Sequence, residues 1–132
     1  MLYAALAAHQ RLATTRPDDA GMLIGLSSAY DAVATALCAD RAFAECLEVL
    51  REGQSAKERL VRSQPGNHVW EVVLAYGYRR IGNAEAALGE REKARASLLK
   101  GRDMLVRLQR LEPTLKEYID WIDGDLDKLG KN

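Results

Sequence analysis

Apolar residues recur along the chain at the three- and four-residue spacing of a helix face. The clearest stripe comprises Trp70, Leu74, Tyr78 and Ile81. It starts shortly after Pro65, and Asn67 is suited to cap the helix that it predicts. A second stripe follows a break at Gly89 and comprises Ala94, Leu98, Gly101, Leu105 and Leu108. This part of the chain is therefore predicted to form a helix, a turn and a second helix.

The same pattern occurs again when the chain is aligned with itself after a shift of 48 residues. The shift superimposes Pro17, Pro65 and Pro113, and each proline lies five residues after a leucine. It also aligns Met22 with Trp70 and Tyr118, Leu26 with Leu74 and Ile122, and Ala5 with Gly53 and Gly101. A fixed period of helix pairs indicates a helical repeat protein. About six helices are predicted, near residues 1–15, 18–38, 42–63, 67–87, 90–111 and 114–129.

The repeats divide one predicted domain, residues 1–132, into four parts. These are a partial repeat (1–15), two full repeats (about 16–63 and 64–111) and a terminal capping helix (114–129). Because residues 1–15 form only part of a repeat, we expect the chain to be a fragment or C-terminal module of a longer array. The terminal helix carries Asp120, Asp123, Asp125 and Asp127, which suits the polar cap that a repeat array needs.

The repeat resembles the tetratricopeptide repeat (TPR). The resemblance rests on Leu74-Ala75-Tyr78, on Leu26-Ser27-Tyr30, on the turn residue Gly89 and on the small residues Ala94 and Gly101. The usual period is about 34 residues, so a period of 48 requires about two additional turns in each helix. The segment QPGNHVWEVVLAYGYRRIGNAEAALGEREKARASL is similar to a long bacterial variant of this repeat. In the first repeat Met22 replaces the tryptophan and Arg41 replaces the turn glycine.

The resemblance implies an all-α fold, a right-handed α-solenoid of antiparallel helix pairs. It also implies that the first helix of each pair lines a concave groove that binds a peptide or protein partner. In the second repeat the positions that would face a ligand are Val69, Val72, Tyr76, Arg79 and Arg80, with Asn83 one turn further on. In the first repeat they are Gly21, Ile24, Ser28, Asp31 and Ala32. Paired arginines beside an aromatic residue suit a partner with acidic groups.

Composition narrows the functional classes. The chain has 48% hydrophobic residues, and its 19 Lys and Arg balance its 19 Asp and Glu. A neutral chain gives no reason to expect a nucleic acid or an anionic membrane as partner. No stretch approaches the roughly 20 apolar residues of a membrane span. Cys38 and Cys46 lack CxxC spacing and nearby histidines, so we expect small core residues in a reducing compartment. These features predict a cytoplasmic protein.

No motif predicts catalysis, a metal or a cofactor. His9 and His68 are far apart and lie near no carboxylate or serine motif, so surface or capping roles are favoured. The acidic run at Asp123, Asp125 and Asp127 lacks the glycine and closing glutamate of a calcium loop. We therefore expect a non-catalytic interaction or scaffold module, part of a larger bacterial signalling or adaptor protein. Uneven charge supports an alternative, a homo-oligomerisation module, because residues 79–112 hold nine basic and five acidic residues whereas 113–132 hold three and five.

The sequence gives two further expectations about packing, one for the mid-helix glycines and one for the tryptophans. Gly53 and Gly101 each cost their helix roughly 1 kcal/mol relative to alanine. We therefore expect a neighbouring helix to pass too close for a larger side chain. Trp70 is expected to pack in the core. Trp121 lies one residue away from the aligned stripe, and core packing is less strongly favoured there.

Overall fold

The computed structural model describes residues 2–130, and every regular element in that range is helical. The all-α prediction is therefore confirmed for the described chain. A short 3-10 turn at Pro113–Leu115 precedes the last helix. The six α-helices are α1 (Leu2–Thr15), α2 (Ala20–Ala39), α3 (Phe43–Ser63), α4 (His68–Ala87), α5 (Arg91–Leu108) and α6 (Lys116–Gly130).

Helices α2, α3 and α4 have about the length that the 48-residue period predicts. α4 continues five residues beyond Gly82 to Ala87, so its predicted extension is confirmed. α5 ends at Leu108, three residues before the predicted boundary. The helices form two compact units, unit 1 (Met1–Trp70) and unit 2 (Glu71–Asn132). Unit 1 contains α1, α2, α3 and the first residues of α4, and unit 2 contains the rest of α4 with α5 and α6.

The turns at the three prolines share one backbone hydrogen bond. In each turn an amide two residues after the proline donates to the carbonyl of the residue before the proline. The three pairs are Asp19 to Arg16 (3.2 Å), Asn67 to Gln64 (3.1 Å) and Leu115 to Glu112 (3.1 Å). The structure thus repeats the sequence period at the level of individual hydrogen bonds.

Two of these turns also carry the caps that the sequence predicts. The side chain of Asp19 accepts a hydrogen bond from the amide of Met22 at 3.0 Å. The side chain of Asn67 accepts one from the amide of Val69 at 3.2 Å. Each bond satisfies an amide that the first helical turn leaves without an intrahelical partner.

The turns inside the two helix pairs are also equivalent. Gly89 has a φ of +79°, and its counterpart Arg41 has a φ of +63°. In both turns the backbone amide of the following residue donates to the carbonyl five residues earlier, at 2.9 Å. The two pairs are Ala42 to Leu37 and Glu90 to Glu85. This is the hydrogen-bond pattern of a helix that ends in a left-handed residue. Arg41 adopts this left-handed conformation at a steric cost that a glycine does not have.

The mid-helix glycines meet neighbouring helices as expected. A Cβ atom on Gly53 would lie 2.9 Å from the Cβ of Tyr30 on α2. A Cβ atom on Gly101 would lie 2.8 Å from the carbonyl oxygen of Ala75 on α4 and 3.3 Å from the Cβ of Tyr78. The contacts at 2.9 Å and 2.8 Å are shorter than real Cβ atoms make, so close helix packing explains both glycines.

Each unit has its own apolar core. In unit 1 the core contains Leu6, Ala13, Leu23, Leu26, Tyr30, Val33, Ala56 and Leu60. Trp70 packs against this core, and its indole N–H donates to the side chain of Gln64 at 3.2 Å. The packing role predicted for Trp70 is therefore confirmed. In unit 2 the core contains Ala75, Ala94, Leu98, Leu105, Leu108, Leu115, Ile119, Ile122 and Leu129.

The cysteines depart from the prediction. Cys38, near the end of α2, and Cys46, near the start of α3, form a disulfide with a Cα–Cα distance of 5.4 Å. The expectation of two separate reduced cysteines was wrong. The tight turn at Arg41 reverses the chain within a few residues and brings the two helix ends together. Sequence spacing alone does not reveal such a turn.

α2 corrects a second expectation. It is 20 residues long, Asp31 is its one charged residue, and its mean hydropathy reaches 1.4, so in length and composition it could cross a membrane. A core helix of a soluble protein has the same character. The residues of α2 that are buried inside the structure are Leu23, Leu26, Ser27, Tyr30, Val33 and Ala34.

Candidate functional site

Three of the residues predicted to face a ligand lie on one side of α4. Tyr76, Arg79 and Asn83 are spaced by three and four residues, which places them along one helical face. Tyr76 and Asn83 are exposed, whereas the neighbouring Leu74 and Ala75 are buried. The same periodicity that directs the apolar stripe inward thus directs this face outward.

The terminal helix α6 supplies a carboxylate to this face. Arg79 donates through Nε to Asp125 Oδ2 at 2.6 Å and through Nη2 to Oδ1 at 3.4 Å. Asn83 donates to the same Oδ2 at 3.3 Å. The bond to Asp125 raises the pKa of the Arg79 guanidinium above its ordinary value, although partial burial opposes this rise. Asp125 therefore fixes the position of Arg79, a constraint that the sequence did not indicate.

α6 also supplies two aromatic side chains. The ring of Tyr118 meets Tyr76 edge-on at 6.3 Å and Trp121 at 4.9 Å. The guanidinium of Arg79 lies 5.9 Å from the ring centre of Tyr76 and 5.4 Å from that of Trp121. Both distances are within the range of a cation–π contact. We call Tyr76, Arg79, Tyr118 and Trp121 the aromatic patch.

The aromatic patch remains open to solvent. Tyr76 is 39% exposed and Trp121 is 40% exposed. Each ring is held by a neighbouring ring, so its position is well defined before any partner binds. Large aromatic side chains that are exposed and fixed in position are typical of protein interaction surfaces.

The other three predicted residues have different surroundings. Val69 is 62% exposed but belongs to unit 1. Val72 is half-buried and packs against the core of unit 2. Arg80 is half-buried and does not belong to the aromatic patch. The structure therefore groups Tyr76, Arg79 and Asn83 and leaves the valines and Arg80 outside the group.

The acidic residues of α6 do more than form a polar cap. Asp125 binds Arg79, and Asp123 accepts a hydrogen bond from Nε of Arg102 on α5 at 2.5 Å. The hydrogen bond with Asp123 raises the pKa of the Arg102 guanidinium above its ordinary value. Two of the acidic residues of α6 are thus paired with arginines of residues 79–112 within unit 2. Two sequence signals pointed to an aromatic role for α6: Tyr118 aligns with Trp70 in the repeat, and Trp121 lies one residue away from the aligned stripe.

The first repeat offers a different surface at the equivalent position. Asp31, which aligns with Arg79, accepts a hydrogen bond from the ammonium of Lys57 at 2.8 Å. The Lys57 side chain is buried between α2 and α3. Because the aligned residues have opposite charges, the two repeats are not interchangeable binding surfaces.

A cavity of about 550 Å³ adjoins the aromatic patch at Arg79. Among residues 2–130, its lining consists of Arg79, Asn83, Ala86, Gly89, Arg91, Asp125, Lys128 and Leu129. Three of these side chains are cationic and one is anionic. The Arg91 guanidinium also donates to the backbone carbonyl of Leu129 near the end of α6, which anchors this arginine at the cavity wall.

Within residues 2–130, no cluster of three or more His, Cys, Asp or Glu side chains is arranged to hold a metal ion. Comparison with known proteins shows no matching family model, no matching curated protein and no matching solved structure. The site is therefore interpreted from its own residues.

Proposed function

We propose that this chain is a non-catalytic protein-interaction module, and that the aromatic patch is where a protein or peptide partner binds. The proposal includes a TPR-like, right-handed solenoid as the framework, because the proline and glycine turns repeat with the 48-residue period. It also includes the expectation that the module belongs to a larger bacterial signalling or adaptor protein. The helices position the residues of the aromatic patch, and the partner contacts their side chains.

The observation that carries the proposal is the cluster of two tyrosines, a tryptophan and an arginine on unit 2, in which Tyr76 and Trp121 are exposed. These residue types dominate the binding energy of protein interfaces because they bury a large area at a small cost in conformational entropy. Their mutual contacts preorganise them, which lowers the entropy that binding must offset. Tyr76 and Trp121 would contact apolar side chains of the partner.

Arg79 explains why we expect the partner to carry acidic groups. Asp125 engages the guanidinium at Nε and Nη2, and a guanidinium has five N–H donors. The remaining donors can bind a carboxylate of the partner, with the positive charge retained at every physiological pH. Asp125 keeps the arginine in place between the rings while the partner approaches.

A pull-down with the whole chain as bait tests this proposal. The variant Tyr76→Ala, Trp121→Ala removes the two exposed rings and keeps both Arg79 and Asp125. Tyr3→Ala is the matched control, because Tyr3 is an exposed aromatic residue of unit 1 with 58% exposure. We expect the wild type and Tyr3→Ala to recover the same partner, and the double variant to lose it with an unchanged circular dichroism spectrum. Equal recovery by all three baits would refute the assignment of the patch.

The alternative function is homo-oligomerisation. Exposed apolar side chains on α1, Tyr3 and Leu12, favour it. The charge argument for it is weaker in the structure than in the sequence, because Asp123 and Asp125 already pair with arginines of their own unit. Light scattering on the wild type and on a Tyr3→Ala, Leu12→Ala variant tests this alternative. A dimer in the wild type that dissociates in the variant would favour it.

The proposed cytoplasmic location and the disulfide require opposite redox conditions. A cytoplasmic protein normally keeps its thiols reduced, whereas a Cys38–Cys46 disulfide is stable in an oxidising compartment. Alkylation of whole cells with a thiol reagent, followed by mass analysis of the protein, decides between them. Labelled cysteines would support the cytoplasmic location, and unlabelled cysteines would contradict it.

A further inference from the structure

The exposed face of α5 differs from the aligned face of α3. Leu99 is 42% exposed and Val106 is 41% exposed, and they lie seven residues apart, which is about two turns of α5. The 48-residue shift aligns them with Arg51 and Glu58 of α3, which are both charged. Unit 2 thus carries exposed apolar side chains on a helix face where the aligned positions of unit 1 carry charges.

Charged side chains flank these two residues, and their signs alternate along the helix. In chain order they are Glu92, Arg95, Asp103 and Arg110, and all four are exposed. Spacings of three and four residues place them on the same side of the helix as Leu99 and Val106. We call these six residues the α5 face. Within residues 2–130, none of the four charged side chains forms a hydrogen bond or an ion pair. Their charges are therefore available to a second surface.

We infer that the α5 face pairs with the same face of a second copy of the chain, with the two helices antiparallel and Leu99 close to the two-fold axis. Arg95 lies four residues before Leu99, and Asp103 lies four residues after it. Antiparallel pairing therefore brings Arg95 of each copy near Asp103 of the other. A two-fold contact joins the same patch on both copies, so this ion pair occurs twice.

The outer charges follow the same relation. Glu92 of one copy lies at the level of Val106 and Arg110 of the other, so a second kind of ion pair also occurs twice. A parallel arrangement would instead place Arg95 of one copy beside Arg95 of the other, which is repulsive. A different protein would have to present the same order of charges, whereas the reversed α5 face already does so. The charge pattern therefore favours a second copy and the antiparallel orientation.

The proposed interface is small, because it consists of one helix from each copy. Interfaces smaller than the standard size are typically weak and transient. We therefore expect a reversible dimer with a dissociation constant on the order of 0.1 mM, weakened by added salt. The α5 face shares no residue with the aromatic patch or with Tyr3 and Leu12 of α1. It is therefore separate from the proposed partner site and from the α1 side chains that favour the alternative function.

Sedimentation equilibrium on the full chain, at low salt and without any other protein, tests the inference. Arg95→Asp and Asp103→Arg should each weaken the dimer by about tenfold or more, because each places like charges together. An equimolar mixture of these two variants should dimerise at least as tightly as the wild type, because both pairs then join opposite charges. A misfolded variant could not produce that recovery. Arg62→Asp makes the same charge change at an exposed residue of α3, and it should dimerise like the wild type.

Three results would overturn the inference. These are a wild type that remains monomeric up to about 1 mM, a mixture that associates no more tightly than the separate variants, and a loss of dimer in Arg62→Asp equal to that in Arg95→Asp. Recovery in the mixture would support the antiparallel pairing directly. Because no other protein is present and the aromatic patch is unchanged in every variant, failure of this test leaves the proposed interaction function unaffected.

Discussion

Two glycines of unit 2 provide a quantitative test of the helix packing. A Cβ on Gly101 would lie 2.8 Å from the backbone oxygen of Ala75, whereas a Cβ on Gly124 would have no heavy atom within 4 Å. Both glycines lie inside α-helices, so alanine gains about 1 kcal/mol of helix propensity at each position. Only at Gly101 does the new methyl group force two helices apart. That overpacking costs about 1–3 kcal/mol.

The difference between the two variants isolates the packing cost, because the propensity gain is common to both. Gly124→Ala should raise the free energy of unfolding by about 0.5–1 kcal/mol. Gly101→Ala should lie about 1–3 kcal/mol below Gly124→Ala. Urea denaturation followed by far-UV circular dichroism measures both values in the same unit. If Gly101→Ala proves at least as stable as Gly124→Ala, the close approach of α4 and α5 is wrong.

Three further predictions concern unit 1, each measured by urea denaturation. Arg41→Gly should stabilise by about 1 kcal/mol, because glycine adopts the left-handed φ without strain; no gain would contradict the turn. Reduction of the Cys38–Cys46 disulfide should destabilise by about 2–3 kcal/mol through a more disordered unfolded chain, and an unchanged midpoint would show that the bridge is absent. Asp19→Ala should cost about 1 kcal/mol from the lost cap of α2, with equal stability refuting the cap.

The sequence predicts the helices and turns well because these depend on local periodicity. The 48-residue repeat located the turn at Gly89, and it identified Arg41 as the residue that replaces glycine there. It also located Gly53 and Gly101 at the helix contacts that the structure shows. Each of these features follows from the pattern of a helix pair and its repeat.

The site was predicted only in part because it joins distant segments. Helical spacing groups Tyr76 with Arg79 and Asn83, but it does not show which helix lies beside them. Asp125 binds Arg79 across 46 residues of sequence, and Trp121 lies outside the aligned stripe. The disulfide was missed for a related reason, because a turn brings its two cysteines together.

Site-specific photocrosslinking in the source cells tests the interaction function most directly. A photoreactive phenylalanine analogue replaces Tyr76 in one version of the chain and Tyr3 in another, and irradiation links each residue to whatever it contacts. We predict a discrete adduct with a different polypeptide from position 76 and not from position 3. The account would be contradicted if position 76 gave no adduct, the same adduct as position 3, or only an adduct with twice the mass of the chain.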